Sequence, residues 1–221
     1  IRNIVITAAS ILSLSACDNS TNDKQTEKKT VEWQEQKIDH VKVSYSLLDV
    51  KSKAAKDSFK KQYTEAQQKV ILSLNRIDSK NLSRLDTIIV PSNVDADWIQ
   101  YSIFPYNVPS IKEVKKIVFF SYHAQAFGAQ EYGKLVYWGP TSMARRDKQT
   151  PTGLYYANWK AEETRSTFDD EWLLKWNFNI ENKEGIGWHE YEMPGYPASH
   201  SCLRMLEADA KYMYEWADQW I

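Results

Sequence analysis

The sequence lacks an excess of charge of either sign. Its 28 basic and 29 acidic residues leave a formal net charge of −1 at pH 7 across 221 residues. Domains that bind nucleic acid concentrate positive charge on one surface. The balanced composition therefore argues against a nucleic-acid partner, and we expect none.

Long apolar runs are also missing. A membrane-spanning helix needs about 20 consecutive apolar residues. The run over residues 4–14 is too short for a spanning helix, and no other run approaches the required length. We therefore expect any membrane attachment to use an anchor.

Cysteine is scarce, since the chain has only Cys17 and Cys202. Cys17 follows the small residues Ser15 and Ala16 after the short apolar run, and Arg2 precedes that run. This pattern resembles the signal segment of bacterial lipoproteins, whose cysteine receives a lipid. The resemblance implies a signal segment over 1–17, lipidation at Cys17, and an exported, membrane-anchored protein that faces the periplasm or the cell wall.

Residues 18–30 contain no apolar side chain and cannot contribute to a core. We predict a flexible tether over 18–34. The remaining length fits one domain, or one domain with a small appendage. We divide it at a change in hydrophobic period, into a region over 35–110 and a C-terminal domain over 111–221.

The region over 35–110 begins with a helical pattern. Apolar residues recur at steps of three and four over 53–75, which predicts one amphipathic helix. A β-branched strand that ends at Pro91 follows within 82–91. This helix and strand resemble the second half of a LysM module, which binds cell-wall sugar, although residues 41–50 lack its Gly-Asp-Thr-Leu signature. Sugar binding and a purely structural brace both remain open.

From residue 116 the pattern becomes strand-like. Short β-rich segments over 116–122, 124–131 and 134–138 predict a three-stranded meander. We expect further strands after the Pro-Gly turn within 149–156, over 172–180 and over 186–191. Apolar residues at steps of four and three after Leu206 predict a C-terminal helix. The predicted fold class is α+β, with a predominantly β, sandwich-like domain over 111–221 that ends in a helix.

The clearest chemical motif is His189 followed by residues 199–204, Ser-His-Ser-Cys-Leu-Arg. Cysteine is a strong nucleophile, but only a few per cent of an ordinary thiol is ionised at neutral pH, so it needs a base. His189 and His200 are candidates. Alternatively, Cys202 is merely buried or forms a disulfide with Cys17. We expect no metal or cofactor, because one thiol and two histidines supply only three ligands.

These residues, with Thr-Pro-Thr-Gly at 150–153, resemble the signature of the L,D-transpeptidase catalytic domain of the YkuD type. That signature is a histidine, a spacer, Ser/Thr-His-Gly-Cys, an apolar residue, and Asn or Arg. The resemblance covers roughly 114–207. Here the spacer is shorter than in many members, and Ser201 replaces the usual glycine. Either the local backbone differs, or Ser201 accepts a strained conformation at a cost of about 1–2 kcal/mol.

The resemblance implies a reaction on peptidoglycan stem tetrapeptides. Cys202 attacks the carbonyl after the third residue, forms a thioester and releases D-alanine. His189 is the general base and acid, held by a backbone carbonyl near Glu190, and His200 is a secondary base or shapes the site. The remaining expected site residues are Ser199 and Ser201, with backbone N–H groups, around the oxyanion, and Arg204, Trp188 and Tyr191 at the substrate.

The sequence does not decide which nucleophile attacks the thioester in the second half-reaction. Attack by the side-chain amine of an acceptor stem gives a cross-link, and the protein is then an L,D-transpeptidase. Attack by water gives an L,D-carboxypeptidase that trims tetrapeptides. A third alternative is a non-catalytic lipoprotein that binds the cell wall. The expected partners are donor and acceptor stems, and the membrane through the lipid.

Overall fold

The structure, a computed structural model, describes residues 32–38, 41–166 and 173–219. Residues 34–221 form one compact unit, and only two residues of the preceding unit, 1–33, are described. The predicted signal segment, Cys17 and most of the predicted tether therefore lie outside the described residues. The predicted boundaries at 17, 34 and 110 remain predictions.

The first part of the compact unit contains two strands and two helices. They are β1 (Tyr45–Asp49), α1 (Lys53–Gln62), α2 (Glu65–Leu74) and β2 (Thr87–Pro91). β1 and β2 pair antiparallel, and Phe59, Ile71 and Ile88 form a core beneath them. The strand that ends at Pro91 is confirmed, whereas β1 was not predicted. The LysM resemblance remains a prediction.

The single helix predicted over 53–75 is wrong, because the chain breaks between α1 and α2. Tyr63 is extended, and Thr64 caps the second helix. The Thr64 hydroxyl accepts from the Gln67 backbone at 3.3 Å, and the Gln67 side chain accepts from the Thr64 backbone at 3.0 Å. This capping box satisfies two backbone donors that a continuous helix would satisfy internally.

The predicted meander is confirmed. Strands β3 (Lys116–Ser121), β4 (Ala126–Glu131) and β5 (Lys134–Pro140) pair antiparallel in chain order. The turn between β4 and β5 places Tyr132 and Gly133 at positive φ, as a tight hairpin requires. Short 3₁₀ turns elsewhere cover Asn81–Arg84, Trp98–Tyr101, Pro109–Ile111 and Arg146–Lys148.

A second sheet carries the candidate site. Its strands are β6 (Trp159–Arg165), β7 (Leu173–Glu181), β8 (Ile186–Glu190) and β9 (Leu203–Met205), in that spatial order. β6 to β8 pair antiparallel, and β8 and β9 pair parallel. The predicted strands that correspond to β7 and β8 are confirmed. The strand expected after the Pro-Gly turn is β6, which begins only at Trp159 because residues 149–158 are irregular.

The C-terminal helix α3 (Glu207–Trp216) is confirmed. Its Ala210 and Met213 pack with Phe127 of the meander and Phe178 of the second sheet in one core. The predominantly β fold class with a C-terminal helix is therefore correct. In the part of the chain that the structure describes, none of the helices combines the length and apolar character needed to cross a membrane.

Asp209, in the first turn of α3, is a carboxylate within this core. It is 2% exposed, and its Oδ1 accepts from the Tyr137 hydroxyl at 2.6 Å. Oδ2 has no hydrogen-bond partner among the described residues. Burial raises the pKa of Asp209 to about 6, although the Tyr137 hydrogen bond acts in the opposite direction.

We predict that Asp209→Asn removes a pH-dependent loss of stability. Because the pKa of Asp209 is higher in the folded chain than its ordinary 3.8, its contribution is full below 3.8 and is lost as pH rises through about 6. The variant should gain about 3 kcal/mol relative to the parent between pH 4 and 7, in denaturant unfolding. Asp86→Asn, at an exposed ion pair with Lys51, is the control. Equal pH slopes for Asp209→Asn and the parent would contradict the prediction.

Candidate active site

The parallel pairing of β8 and β9 brings the sequence motif together. His189 lies opposite Arg204, and Trp188 lies opposite Leu203. Alternate residues of a strand point to the same face. His189 and Arg204 therefore share one face, while Trp188 and Leu203 point into the core. Cys202 immediately precedes β9, and the register of the pair places it beside Gly187 of β8.

A cavity of about 280 Å³ lies over this face. All but one of the site residues expected after residue 180 line it: His189, Tyr191, Ser199, His200, Ser201, Cys202 and Arg204. The structure therefore brings the two halves of the motif, separated by a nine-residue spacer in the sequence, into one cavity. Cys202 is a free thiol that is partly exposed there.

The exception is Trp188, whose expected contact with substrate is wrong. Trp188 is 2% exposed and packs against Phe178 and Phe120 in the core. Its position one residue before His189 on a strand forces it to the opposite face. Among the other aromatic residues near the motif, Trp159 lines the cavity and Trp176 packs against Tyr214.

Burial controls the protonation of His189. The side chain is 4% exposed, and its Nδ1 lies 2.8 Å from the carbonyl oxygen of Glu190. Burial is the main cause that lowers the pKa of His189 to about 4; the hydrogen bond to the Glu190 carbonyl opposes it, and the charge of Arg204 reinforces it. At neutral pH the ring is neutral. The carbonyl selects the tautomer in which Nδ1 carries the proton, so Nε2 is the basic atom.

Cys202 is also neutral at rest. Burial raises the pKa of the thiol, while the Gly187 backbone hydrogen bond and the charge of Arg204 partly offset that shift. The Sγ atom lies 3.7 Å from the carbonyl oxygen of Gly185, an acceptor for the thiol proton. The site therefore holds a thiol and a neutral imidazole, and ionisation requires a proton transfer.

The turn before the nucleophile is strained and held by hydroxyl groups. Ser201 has φ of 115°, so the chain keeps the conformation that favours glycine and places serine in it. The Thr150 hydroxyl donates to the Ser201 carbonyl at 2.5 Å, and the Ser201 hydroxyl donates to the Lys148 carbonyl at 3.1 Å. The Ser199 hydroxyl donates to the Cys202 carbonyl. These bonds explain how Ser201 is kept in a left-handed conformation.

Arg204 and Tyr191 form one wall of the cavity. The Arg204 guanidinium lies over the Tyr191 ring, 4.5 Å from its centroid, and the His189 ring meets Tyr191 edge-on at 5.9 Å. Burial and the charges of Arg145 and Arg204 lower the pKa of His200. His200 is therefore held neutral near the thiol, and its predicted secondary role remains a prediction.

Residues of β6 and β7 form another wall of the cavity, which the sequence did not predict. Asn177 and Asn179 line the cavity from β7, on either side of the core residue Phe178. Their alternation with apolar residues was the available signal, but it is equally typical of a half-solvated strand. Lys148 was also missed, because it reaches the cavity only through the loop that Ser201 holds.

The cavity has a positive lining. Among the described lining residues, Lys148, Arg165 and Arg204 are cationic, and Glu184 is anionic. Nearby, the Arg145 guanidinium pairs with the Asp147 carboxylate at 3.1 Å. The arrangement suits a nucleophilic attack by Cys202 on a substrate that carries carboxylate groups.

A family described as YkuD, the L,D-transpeptidase catalytic domain, matches residues 115–220. No curated protein sequence matches the chain.

Several solved structures are similar at low identity. L,D-transpeptidase (Yku) from Stackebrandtia nassauensis is 22% identical with a TM-score of 0.46, over 55% of this chain and 58% of that chain. An L,D-transpeptidase from Mycobacterium smegmatis is 16% identical with a TM-score of 0.42, over 48% and 55%. L,D-transpeptidase 3 from Mycobacterium tuberculosis, with a faropenem-derived adduct, is 19% identical with a TM-score of 0.41, over 48% and 57%.

This chain thus spans little more than half the length of each of these structures. The assignment rests on the family match and on the motif residues that it encloses. Residues 115–220, which include His189 and Cys202, match the model of the YkuD family of L,D-transpeptidase catalytic domains.

Proposed function

We propose that this chain is a peptidoglycan L,D-transpeptidase that works through a thioester on Cys202. The observation that carries the proposal is that His189 on β8 and Cys202, just before β9, line one cavity within the residues that match the YkuD model. The donor is a stem tetrapeptide. Its carboxylate groups match the positive lining contributed by Arg204, Lys148 and Arg165.

In the first half-reaction the Cys202 sulfur attacks the carbonyl carbon between the third residue and the terminal D-alanine. The thiol proton passes to Nε2 of His189, because Nδ1 is engaged with the Glu190 carbonyl. The same proton then passes to the nitrogen of D-alanine, which leaves as the free amino acid. The product is a thioester between Cys202 and the shortened stem.

The negative charge on the tetrahedral oxygen needs hydrogen-bond donors beside the nucleophile. We assign this role to backbone N–H groups around Ser201 and Cys202. The carbonyl of Ser201 is held by Thr150, and a trans peptide points its N–H away from its carbonyl. The Thr150 hydrogen bond therefore fixes the direction of the Cys202 N–H before substrate arrives.

In the second half-reaction the side-chain amine of an acceptor stem attacks the thioester. The amine loses a proton to His189, which returns it to the departing Cys202 sulfur, and a cross-link between two third residues results. If water takes the place of the amine, the protein is an L,D-carboxypeptidase. Trp159 and Tyr191 at the cavity favour the transpeptidase, since aromatic walls reduce access of water to the thioester.

We further propose that the protein is exported and anchored by a lipid on Cys17. The supporting pattern is the short apolar run before the small residues at 15 and 16. This anchor would place the catalytic domain beside the cell wall, where stem peptides occur.

The reaction is tested by incubating the purified protein with disaccharide-tetrapeptides and reading the products by mass spectrometry. We expect dimers joined through the third residues, and none with Cys202→Ala, because the thioester requires that sulfur. Cys17→Ala is the matched control and should leave the soluble reaction unchanged.

Tripeptides without dimers would identify a carboxypeptidase. If the parent gives neither product, or Cys202→Ala behaves like the parent, the nucleophile assignment fails. A non-catalytic, wall-binding lipoprotein would then be the better account.

A second prediction concerns pH. Because His189 has a pKa of about 4 and acts as the base in its neutral form, acylation of Cys202 by a carbapenem should rise through pH 4. The rate should then stay flat across neutral pH, with Cys202 still protonated. Alkylation of Cys202 by iodoacetamide needs the thiolate alone and should keep rising into the alkaline range, because burial raises the thiol pKa.

Stopped-flow acylation and site-resolved mass spectrometry of alkylation measure the two profiles. His189→Gln should abolish the flat acylation plateau and leave alkylation possible. An acylation rate that rises between pH 6 and 7, at the ordinary pKa of about 6.5, would contradict a buried neutral base.

A further inference from the structure

We propose that Asp78, which lies outside the YkuD domain, is a positioning residue for the substrate-binding wall formed by Arg204 and Tyr191. This inference rests on the proposed acylation of Cys202. It concerns the segment over 191–198, which leads from His189 toward Ser199 and the nucleophile.

Asp78 forms two hydrogen bonds with Met193, in the middle of this segment. The Met193 N–H donates to Oδ2 of Asp78 at 2.8 Å, and the Asp78 N–H donates to the Met193 carbonyl at 3.1 Å. Met193 is fully buried. An ionised carboxylate gives a stronger hydrogen bond than a neutral acceptor, so this contact restrains the backbone more than an ordinary loop contact.

The Asp78 side chain is itself held in place. Its Oδ1 accepts from the Asn81 N–H at 2.8 Å, and its Oδ2 accepts from the Asn81 side-chain amide at 2.9 Å. Asn81 is 2% exposed. The carboxylate is therefore presented to Met193 by a rigid turn after α2, and its orientation does not depend on the segment that it binds.

Ile77 and Gly195 extend the same contact. Ile77 forms an isolated bridge with Pro194, and Gly195 has φ of 89°. A β-carbon at position 195 would lie 3.0 Å from the Ile77 side chain. The segment thus approaches residues 77–78 too closely for most side chains.

The held segment carries the contacts that orient Arg204. The guanidinium stacks on Tyr191, and its Nη1 donates to the Glu192 carbonyl at 3.5 Å. Tyr191 and Glu192 immediately precede Met193. On their other side they border a cavity of about 550 Å³, which Asp78 also lines. The Tyr191 N–H donates to the Met205 carbonyl at 3.1 Å, so Tyr191 is held from β9. Close packing does not fill the cavity side, so the hydrogen bonds of Asp78 set the position of Glu192 and Met193.

The farther end of the segment has a separate support. The Ser142 hydroxyl donates to the Tyr196 carbonyl at 2.8 Å and accepts from the Ala198 N–H at 3.2 Å. Loss of Asp78 should therefore release Glu192 and Met193, and with them the carbonyl that Arg204 donates to, while the nucleophile end stays in place. The expected consequence is weaker binding of substrate, with little change in the chemical step.

The test uses the full chain and carbapenem acylation of Cys202. In Asp78→Ala the half-saturating concentration should rise roughly tenfold, because the partner of the substrate carboxylate is no longer held in place. The limiting acylation rate should stay within about twofold of the parent. Asp78→Asn keeps one acceptor oxygen, so its half-saturating concentration should lie between those of the parent and Asp78→Ala.

Arg76→Lys is the matched control. Arg76 joins the same N-terminal region to Ala124, through Nε at 2.9 Å, and does not contact the segment over 191–198. It should lower the unfolding midpoint without changing the half-saturating concentration. In a double-mutant cycle, adding Asp78→Ala to Arg204→Lys should raise the half-saturating concentration little further, because both substitutions act through the Arg204 guanidinium.

Two results would overturn the proposal. One is an Asp78→Ala variant that loses stability as Arg76→Lys does, with an unchanged half-saturating concentration. The other is a double variant, Asp78→Ala with Arg204→Lys, whose half-saturating concentration rises by the product of the two single effects. If Asp78→Ala does not fold, Asp78→Asn is measured in its place with the same criteria.

Hydrogen exchange of the amides over 191–196 separates this proposal from the proposed function. Exchange should increase in Asp78→Ala and not in Arg76→Lys, whether or not Cys202 is acylated. If the parent is not acylated at all, the proposed function fails. Unchanged exchange in Asp78→Ala would overturn the positioning role by itself.

Discussion

The candidate site depends on the parallel pairing of β8 with β9. Two antiparallel strands can be joined by a short turn, but parallel neighbours need a connection that returns to the starting edge. Here that return runs through residues 191–202 without a helix to stiffen it. Its shape is set by hydrogen bonds from Asp78 near its beginning and from Ser142 near its end. The thiol lies beside Gly187 because distant parts of the chain hold the return in place.

The same pairing buries both reacting groups, and burial penalises the charged form of each. The thiol and the imidazole are consequently neutral at rest, with the proton on sulfur. Arg204 then acts in opposite senses on the two groups, since its charge stabilises a thiolate and destabilises an imidazolium. In the proposed reaction, a proton taken by His189 is therefore held weakly, which favours its transfer to the leaving amine. In that proposal, Arg204 promotes both the ionisation of sulfur and the departure of the first product.

Sequence patterns predicted the elements whose signals are local. Alternation and the Tyr-Gly turn at 132–133 located the meander, and spacing after Leu206 located α3. The break at Thr64 was missed because the apolar spacing continues across it, and only the capping box marks it. The motif located Cys202 and His189, yet it said nothing of Asn177 or Asp78, which reach the site through tertiary pairing. Trp188 was assigned to the substrate by proximity in sequence, whereas strand alternation places it in the core.

The region before residue 115 packs directly against the residues that match the YkuD model. Trp98 and Trp138 stack with ring centroids 4.4 Å apart, and each indole N–H donates to the other residue's carbonyl. The Arg76 guanidinium lies over Trp138 and donates to the carbonyls of Ala124, Ser73 and Leu74. Opening this contact would separate the stacked indoles and break the hydrogen bonds that Trp98, Trp138 and Arg76 make across it. The docking is therefore stable enough for Asp78 to hold the active-site segment, which a flexibly tethered module would not do.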